Sequence, residues 1–285
     1  MRHLGYLLIG WAVFGLLSLS VTAQDRIDTA RDEGKTAEIV GGSGLACTKH
    51  FDGKRVVFVI NGGNGSTQAS DNMLEVNAEF GLGLKIEVVN WSRHDSRYRD
   101  MVDMEAQLVA AYRVSCATTA IRKQCPRAQI FYVGYSAGAR VALAAAEMAG
   151  PNSVDRIFLM HAAVSACYDL NNALRASRHG IDSYYSIDDL VLEVAGDQYA
   201  LADGAKGAAA GHTGFRPPAD KRGVEPYCNL RQIAWNQDYA GLGGHCAWPI
   251  SHNLKRTVMP LILNTPSGEP AFSPAPGRID PRSPP

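Results

Sequence analysis

The sequence has no charge of either sign to spare. Its 285 residues carry 28 Lys and Arg against 28 Asp and Glu, a formal net charge of zero, and no basic tract stands out. That removes the electrostatic footprint of a nucleic-acid binder, which needs clustered cations to meet phosphates. No Cys-x-x-Cys pair occurs and no Cys/His cluster has zinc-site spacing, so no structural metal is expected. The glycine-rich "INGGNGS" at 60–66 is not followed by Gly-Lys-Ser/Thr and holds no Gly-x-Gly-x-x-Gly. Both absences speak against a nucleotide-phosphate loop. There is no internal repeat and no sign of a second domain. What remains is globular: 46% hydrophobic and 20% charged residues, long enough for one large α/β domain with a sizeable core.

The chain opens "MRHLGYLLIGWAVFGLLSLSVTAQD". A short polar start, an uncharged apolar run from Leu4 to Val21 and a small-residue Val21-Thr22-Ala23 site read as a signal peptide over 1–23, cleaved after Ala23. An uncleaved membrane anchor is the alternative, since the run is long enough to span. The expected location is secreted or periplasmic. Residues 24–54 form a polar leader, 55–263 the folded domain, and 264–285 a tail with repeated prolines, expected to be disordered. Six cysteines, Cys47, Cys116, Cys125, Cys167, Cys228 and Cys246, suggest disulfides in an exported chain. Cys116 and Cys125 are the expected pair, because "CATTAIRKQC" reads as a short polar loop. Buried free thiols are the bland alternative.

Within the domain, unbroken apolar runs alternate with helical patterns. "VVFVI", "LKIEVVNW", "QIFYVG", "DRIFLMHAAVS", "IDSYYSIDDLVL" and "NLRQIAWN" supply six strand candidates. Between them, 70–80, a stripe from Asp100 to about Val114, and "SAGARVALAAAEMAG" read as helices, the last stopped by Gly150-Pro151. Strands buried on both faces and alternating with helices predict a mostly parallel central sheet.

Ser136 lies where the third strand meets the third helix, flanked by Gly134 and Gly138. A sharp strand-to-helix turn crowds the positions two before and two after, and projects the hydroxyl outward. This is the Gly-x-Ser-x-Gly elbow in its confirming context. A serine needs a base, and the base needs a carboxylate to orient it. Of the histidines that follow, His245 in "GLGGHCAW" sits in a glycine-rich loop able to fold back over the sheet. His212 in "AAGHTGF" is the second choice, and His161, His179 and His252 are set aside. The acid should leave the strand ahead of the histidine, so Asp188 and Asp189 both qualify. Asp189 is favoured because Leu190-Val191 could re-enter the core. Asp197 and Asp203 are weaker, and Asp169 reads as a helix cap. For an oxyanion, the N–H of Ala137 is one expected donor and that of Gly63 the other, with Asn64 the second choice, from a loop resembling an HGGG turn with Asn61 in the histidine's place. Residues 195–225 could form a loop over the site.

In this order, "INGGNG", "GYSAGA", "YYSIDD" and "GGHCAW" resemble the α/β-hydrolase superfamily over about residues 55–263. More narrowly, "SVDRIFLMHAAVSACYDLNNAL" with the segments after it is similar to α/β-hydrolase-like proteins common in planctomycetes. In those the acid sits in a Ser-x-x-Asp turn, which implies Asp189 at the end of Ser186-Ile187-Asp188-Asp189. The resemblance implies an α/β-hydrolase fold and a serine hydrolase with no cofactor; with the N-terminal signal sequence, the expected function is an exported enzyme acting on a small-molecule or lipid-like acyl substrate. It names no substrate, and Cys246 beside His245 departs from the pattern. Two other functions compete. One is a binding module whose triad is vestigial. The other is a lipase-like enzyme held at a membrane by an uncleaved N-terminal helix.

Overall fold

In the computed structural model of the chain, residues 53–218 and 225–266 are described. The expected signal peptide at 1–23, nearly all of the leader at 24–54 and most of the tail at 264–285 lie outside them. Among the described residues no helix is long and apolar enough to cross a membrane.

All six expected strands form. They are β1 (Arg55–Ile60), β2 (Lys85–Val89), β3 (Gln129–Tyr135), β4 (Arg156–Met160), β5 (Ile181–Tyr185) and β6 (Leu230–Ala234). They make one sheet in the order β2-β1-β3-β4-β5-β6, and every neighbouring pair is parallel. Alternate residues sort to opposite faces, as the strand period demands. Phe58, Ile60, Ile130 and Tyr132 join one core cluster with Val114, Ile121 and Val141. Val57, Val59, Phe131 and Val133 join the other with Met73, Val76 and Ile262. Helices therefore cover both faces, which is why these strands read as unbroken apolar runs.

The helices that place the site are α1 (Gln68–Glu79), α2 (Arg97–Val102), α3 (Met104–Gln124), α4 (Gly138–Ala149), α5 (Asn171–Ala176), α6 (Leu190–Gln198) and α7 (Ala210–Thr213), followed by α8 (Ser251–Arg256) and α9 (Val258–Asn264). The single helix expected from Asp100 divides in two. The Asp103 carboxylate accepts the N–H of Ala106 at 3.0 Å and starts a new helix there. That helix runs on to Gln124, which overturns the expected Cys116–Cys125 disulfide. "CATTAIRKQ" is helix rather than loop. Nine residues of helix separate the two Cα atoms by about 13 Å, against a disulfide limit of about 7 Å. Cys116, Cys167, Cys228 and Cys246 are free thiols.

Of the loop expected over the site at 195–225, Ala195 does border the cleft, but most of the described remainder packs elsewhere. Residues 201–216 pack along the segment after β4, where Ala202 N–H bonds Ala163 O and Arg216 N–H bonds Ala166 O. The Asp203 carboxylate holds the Ser165 N–H at 3.0 Å.

The strand order puts β1 between β2 and β3, so the chain leaves β1 for one side of the sheet and returns on the other. That reversal is a topological switch point, and it opens a crevice at the carboxyl ends of β1 and β3. Ile60 is paired with Gly134 there, which brings the "NGGNG" loop beside the serine elbow.

Candidate active site

Ser136 follows β3 directly, with a left-handed backbone, φ +54°. For a residue with a Cβ that conformation is strained by about 1–3 kcal/mol, and the surroundings hold it. Ser136 N–H bonds Met160 O at 2.9 Å, while Ser136 O accepts from the N–H groups of Ala139 and Ala163, each at 3.1 Å. The flanking glycines are required by contact. A Cβ on Gly134 would lie 2.8 Å from Ala139 Cα, and one on Gly138 would lie 2.3 Å from Asn61 O and 2.4 Å from Ile60 O. Helix α4 thus starts against the end of β1 with no room for a methyl group. Gly138→Ala should lower stability by roughly 2–3 kcal/mol, a fall of about 5–10 °C in Tm for a domain of this size. An unchanged Tm would show that α4 can lift away at no cost.

His245 reaches the serine from the loop after β6. Its Nε2 lies 2.9 Å from Ser136 Oγ, and its Nδ1 lies 2.8 Å from Asp189 Oδ2. The loop is tied down on both sides of the ring. Tyr135 Oη donates to His245 O at 3.1 Å, and Trp248 Nε1 donates to Tyr185 O at 3.0 Å. Burial, with Cys246 close by, pushes the Tyr135 phenol up, so it serves as a neutral donor.

Asp189, not Asp188, meets the histidine. Asp189 is fully buried, whereas Asp188 is exposed. The expected re-entry of Leu190-Val191 into the core is wrong: Leu190 is 65% exposed. Asp189 instead caps α6, its Oδ1 accepting the Leu192 N–H at 3.1 Å. Capping turns the carboxylate inward and leaves Oδ2 for the imidazole. Burial alone would raise this carboxyl, but the His161 and His245 ring nitrogens beside it outweigh burial and hold the group well below the usual range. His212, the second choice for the base, reaches only the Asp189 carbonyl, Nδ1 to O at 3.2 Å.

His161, set aside in the sequence, belongs to this cluster. It follows β4 directly, with φ +48°, and is fully buried. Its Nδ1 lies 2.8 Å from Asp189 Oδ2, the oxygen His245 also uses. The distance is that of a hydrogen bond, but the direction is not, and Nδ1 has no well-aligned partner. On the far side, Trp248 N–H donates to Nε2 at 3.3 Å. No local signature marks this residue; only the pairing of β4 with β5 brings it to the acid.

The donor atoms of His161, Asp189 and His245 all lie within 4.8 Å of one another, a set that could hold a divalent metal. The spacing suits hydrogen bonds better. Both nitrogens stand 2.8 Å from one oxygen, closer than the ~3.3 Å between ligands of a tetrahedral zinc.

Gly62 and Gly63 border Ser136 across the crevice, with a Cβ on Gly62 falling 3.3 Å from Ser136 Cβ. The loop is fastened at each end. The buried Asn61 side chain donates to Ser70 Oγ at 2.9 Å and Asn90 Oδ1 at 3.1 Å. Buried Asp100 accepts from the N–H groups of Asn64, Arg93 and His94. The Asn64 N–H is therefore committed to Asp100 and not free for an oxyanion. Ala137 lies at the N-terminus of α4, where helix N–H groups lack partners within the helix. A cleft of about 300 Å³ opens over Ser136, Ala137, Gly63 and His245. Tyr98 and Met101 form one apolar wall, and Val191, Leu192 and Ala195 of α6 the other.

No family model matches the chain, and no curated protein sequence matches it. Among solved structures it is similar to a predicted CIB-like hydrolase from Thermoplasma acidophilum, with 12% identity over 74% of this chain and 85% of that one, TM-score 0.43. It is also similar to the catalytic core domain of acetyl xylan esterase from Trichoderma reesei, with 13% identity over 76% and 100%, TM-score 0.38. An esterase from Pyrococcus furiosus has 9% identity over 73% and 84%, TM-score 0.40. The parallel sheet in this strand order, the serine elbow after a central strand, and an acid then a histidine from later strand tips make the fold of this chain the α/β-hydrolase fold.

Proposed function

We propose that the protein is a serine hydrolase that cleaves a carboxylic ester or related acyl bond. The observation that carries the reading is one continuous relay: Asp189 Oδ2 to His245 Nδ1 at 2.8 Å, and His245 Nε2 to Ser136 Oγ at 2.9 Å. Asp189 fixes the imidazole with its proton on Nδ1, so Nε2 is free to accept. Ser136 Oγ attacks the acyl carbon as its proton passes to His245 Nε2. The carbonyl oxygen becomes an oxyanion, held by the N–H groups of Ala137 and Gly63. The intermediate collapses, the alcohol leaves with the proton from His245, and an acyl-serine remains. Water then attacks the acyl carbon, gives its proton to His245, and releases the acid as that proton returns to Ser136 Oγ.

The size of the cleft suits a small substrate, near the lower bound of ligand pockets. Tyr98, Met101, Val191 and Leu192 offer it apolar contact, and Arg97 of α2 lines the same cleft. The N-terminal sequence supports export with cleavage after Ala23. The vestigial-triad reading has no observation of its own, since strained φ at Ser136 and a buried Asp189 bonded to His245 are what a working site retains.

The test is turnover of p-nitrophenyl acetate and longer acyl homologues. Measurable kcat that falls as the acyl chain outgrows the cleft supports the proposal. Absence of turnover on every ester, with no acyl-enzyme trapped on rapid quenching, refutes it.

A further inference from the structure

We propose that His161 is a positioning residue for this site, its Nδ1–H steadying the Asp189 oxygen that His245 uses. The inference rests on the reading of Ser136, His245 and Asp189 as a hydrolytic triad. A fully buried histidine is more often a satisfied core residue, so its two edges have to be followed separately.

The tautomer follows from the partners. Trp248 N–H points at Nε2 at 3.3 Å, so Nε2 carries the lone pair and the ring proton sits on Nδ1. Nδ1 faces Asp189 Oδ2 at 2.8 Å. Burial pushes the imidazole down, against the pull of Asp189, so the ring is a neutral donor rather than a second cation. The two nitrogens address the same oxygen with unequal alignment. His245 has the aligned bond, and His161 the close but off-line approach. Leu192 N–H holds Oδ1 throughout, and His161 Nδ1 stands beside Oδ2, the oxygen that orients the His245 ring.

The backbone supports a dedicated placement. His161 adopts φ +48°, uncommon for a residue other than glycine though histidine tolerates it better than most. Its N–H bonds Tyr184 O at 2.9 Å. The first turn of α7 presses against it, a Cβ on Gly211 falling 2.3 Å from His161 C. Full burial, a constrained backbone and a ring nitrogen 2.8 Å from the acid exceed what a space-filling residue requires.

Two substitutions separate the two edges. An Asn side chain places its amide N–H where Nδ1 stands, and tolerates positive φ, but cannot reach Trp248. A Gln side chain places its amide where Nε2 stands and can still accept from Trp248 N–H, but loses the donor to Asp189. With p-nitrophenyl acetate, His161→Asn should keep kcat within about five-fold of wild type. His161→Gln should lower kcat by about 10–100-fold with KM within about two-fold, as expected of a reacting group displaced by a fraction of an ångström. If Gln keeps kcat and Asn loses it, His161 is only an anchor for the Trp248 loop and the proposal is overturned. Equal activity in both overturns it too. If neither variant folds, ¹⁵N NMR of the wild type decides. His161 protonated on Nδ1 supports the role, and His161 protonated on Nε2 ends it. A wild type with neither turnover nor fluorophosphonate labelling is a different failure, because it removes the triad itself and this inference with it.

Discussion

Ser136→Ala should abolish ester turnover, with a loss in kcat on the order of a million-fold, and leave the protein folded. The size follows from the way triad members act as a unit: without the nucleophile, His245 and Asp189 have nothing to activate, and only the oxyanion donors and the binding cleft remain. Stability should scarcely change. Alanine carries the same Cβ into the same left-handed backbone, so the strain at φ +54° persists. What is lost is one half-exposed hydrogen bond, Ser136 Oγ to His245 Nε2, worth about 1 kcal/mol. Kinetics with p-nitrophenyl acetate and a thermal melt check both halves. Turnover within ten-fold of wild type by a folded Ser136→Ala variant would mean that another group attacks the substrate.

Asp189→Asn should lower kcat by roughly 10⁴ with little change in KM. The carboxylate accepts Leu192 N–H on Oδ1 and His245 Nδ1 on Oδ2, with His161 Nδ1 close beside Oδ2. An amide cannot serve them all. Turned to present N–H to His245, it drives the imidazole proton to Nε2, where it faces Ser136 Oγ and blocks proton transfer. A cost in stability of about 1–3 kcal/mol should accompany this, because a buried donor is left unpaired. Asp188→Asn should stay within a few-fold of wild type and within about half a kcal/mol, since its side chain is exposed. The reverse pattern in the two variants would shift the acid to Asp188.

These predictions rest on features of unequal legibility. The elbow was readable because its constraint is local: Gly134, Ser136 and Gly138 must all sit within one turn, and the contacts that forbid a Cβ there are made by that turn and the end of β1. The strands were readable because burial on both faces leaves an unbroken apolar run. Asp189 was favoured partly for a wrong reason. Its neighbours do not dive into the core; an Asp ahead of a helical stretch caps it, and N-cap preference was the better signal. The Cys116–Cys125 error has the same form, since Ala, Arg, Lys and Gln are good helix formers and "CATTAIRKQ" continues α3. Asp100 and His161 were hidden for another reason. Each acts across elements far apart in the chain, Asp100 on the loop after β1 and His161 on the cap of α6. No local pattern encodes a partner supplied by strand order.

The central claim is that Ser136 is a nucleophile activated by His245. The most direct measurement is reaction of the full chain with a fluorophosphonate probe, followed by peptide mass spectrometry. The account predicts one covalent phosphonyl adduct per chain, on the peptide that contains Ser136, and its loss in both Ser136→Ala and His245→Ala. A folded protein that stays unlabelled under conditions that label a known serine hydrolase, or one labelled at another residue, would contradict it.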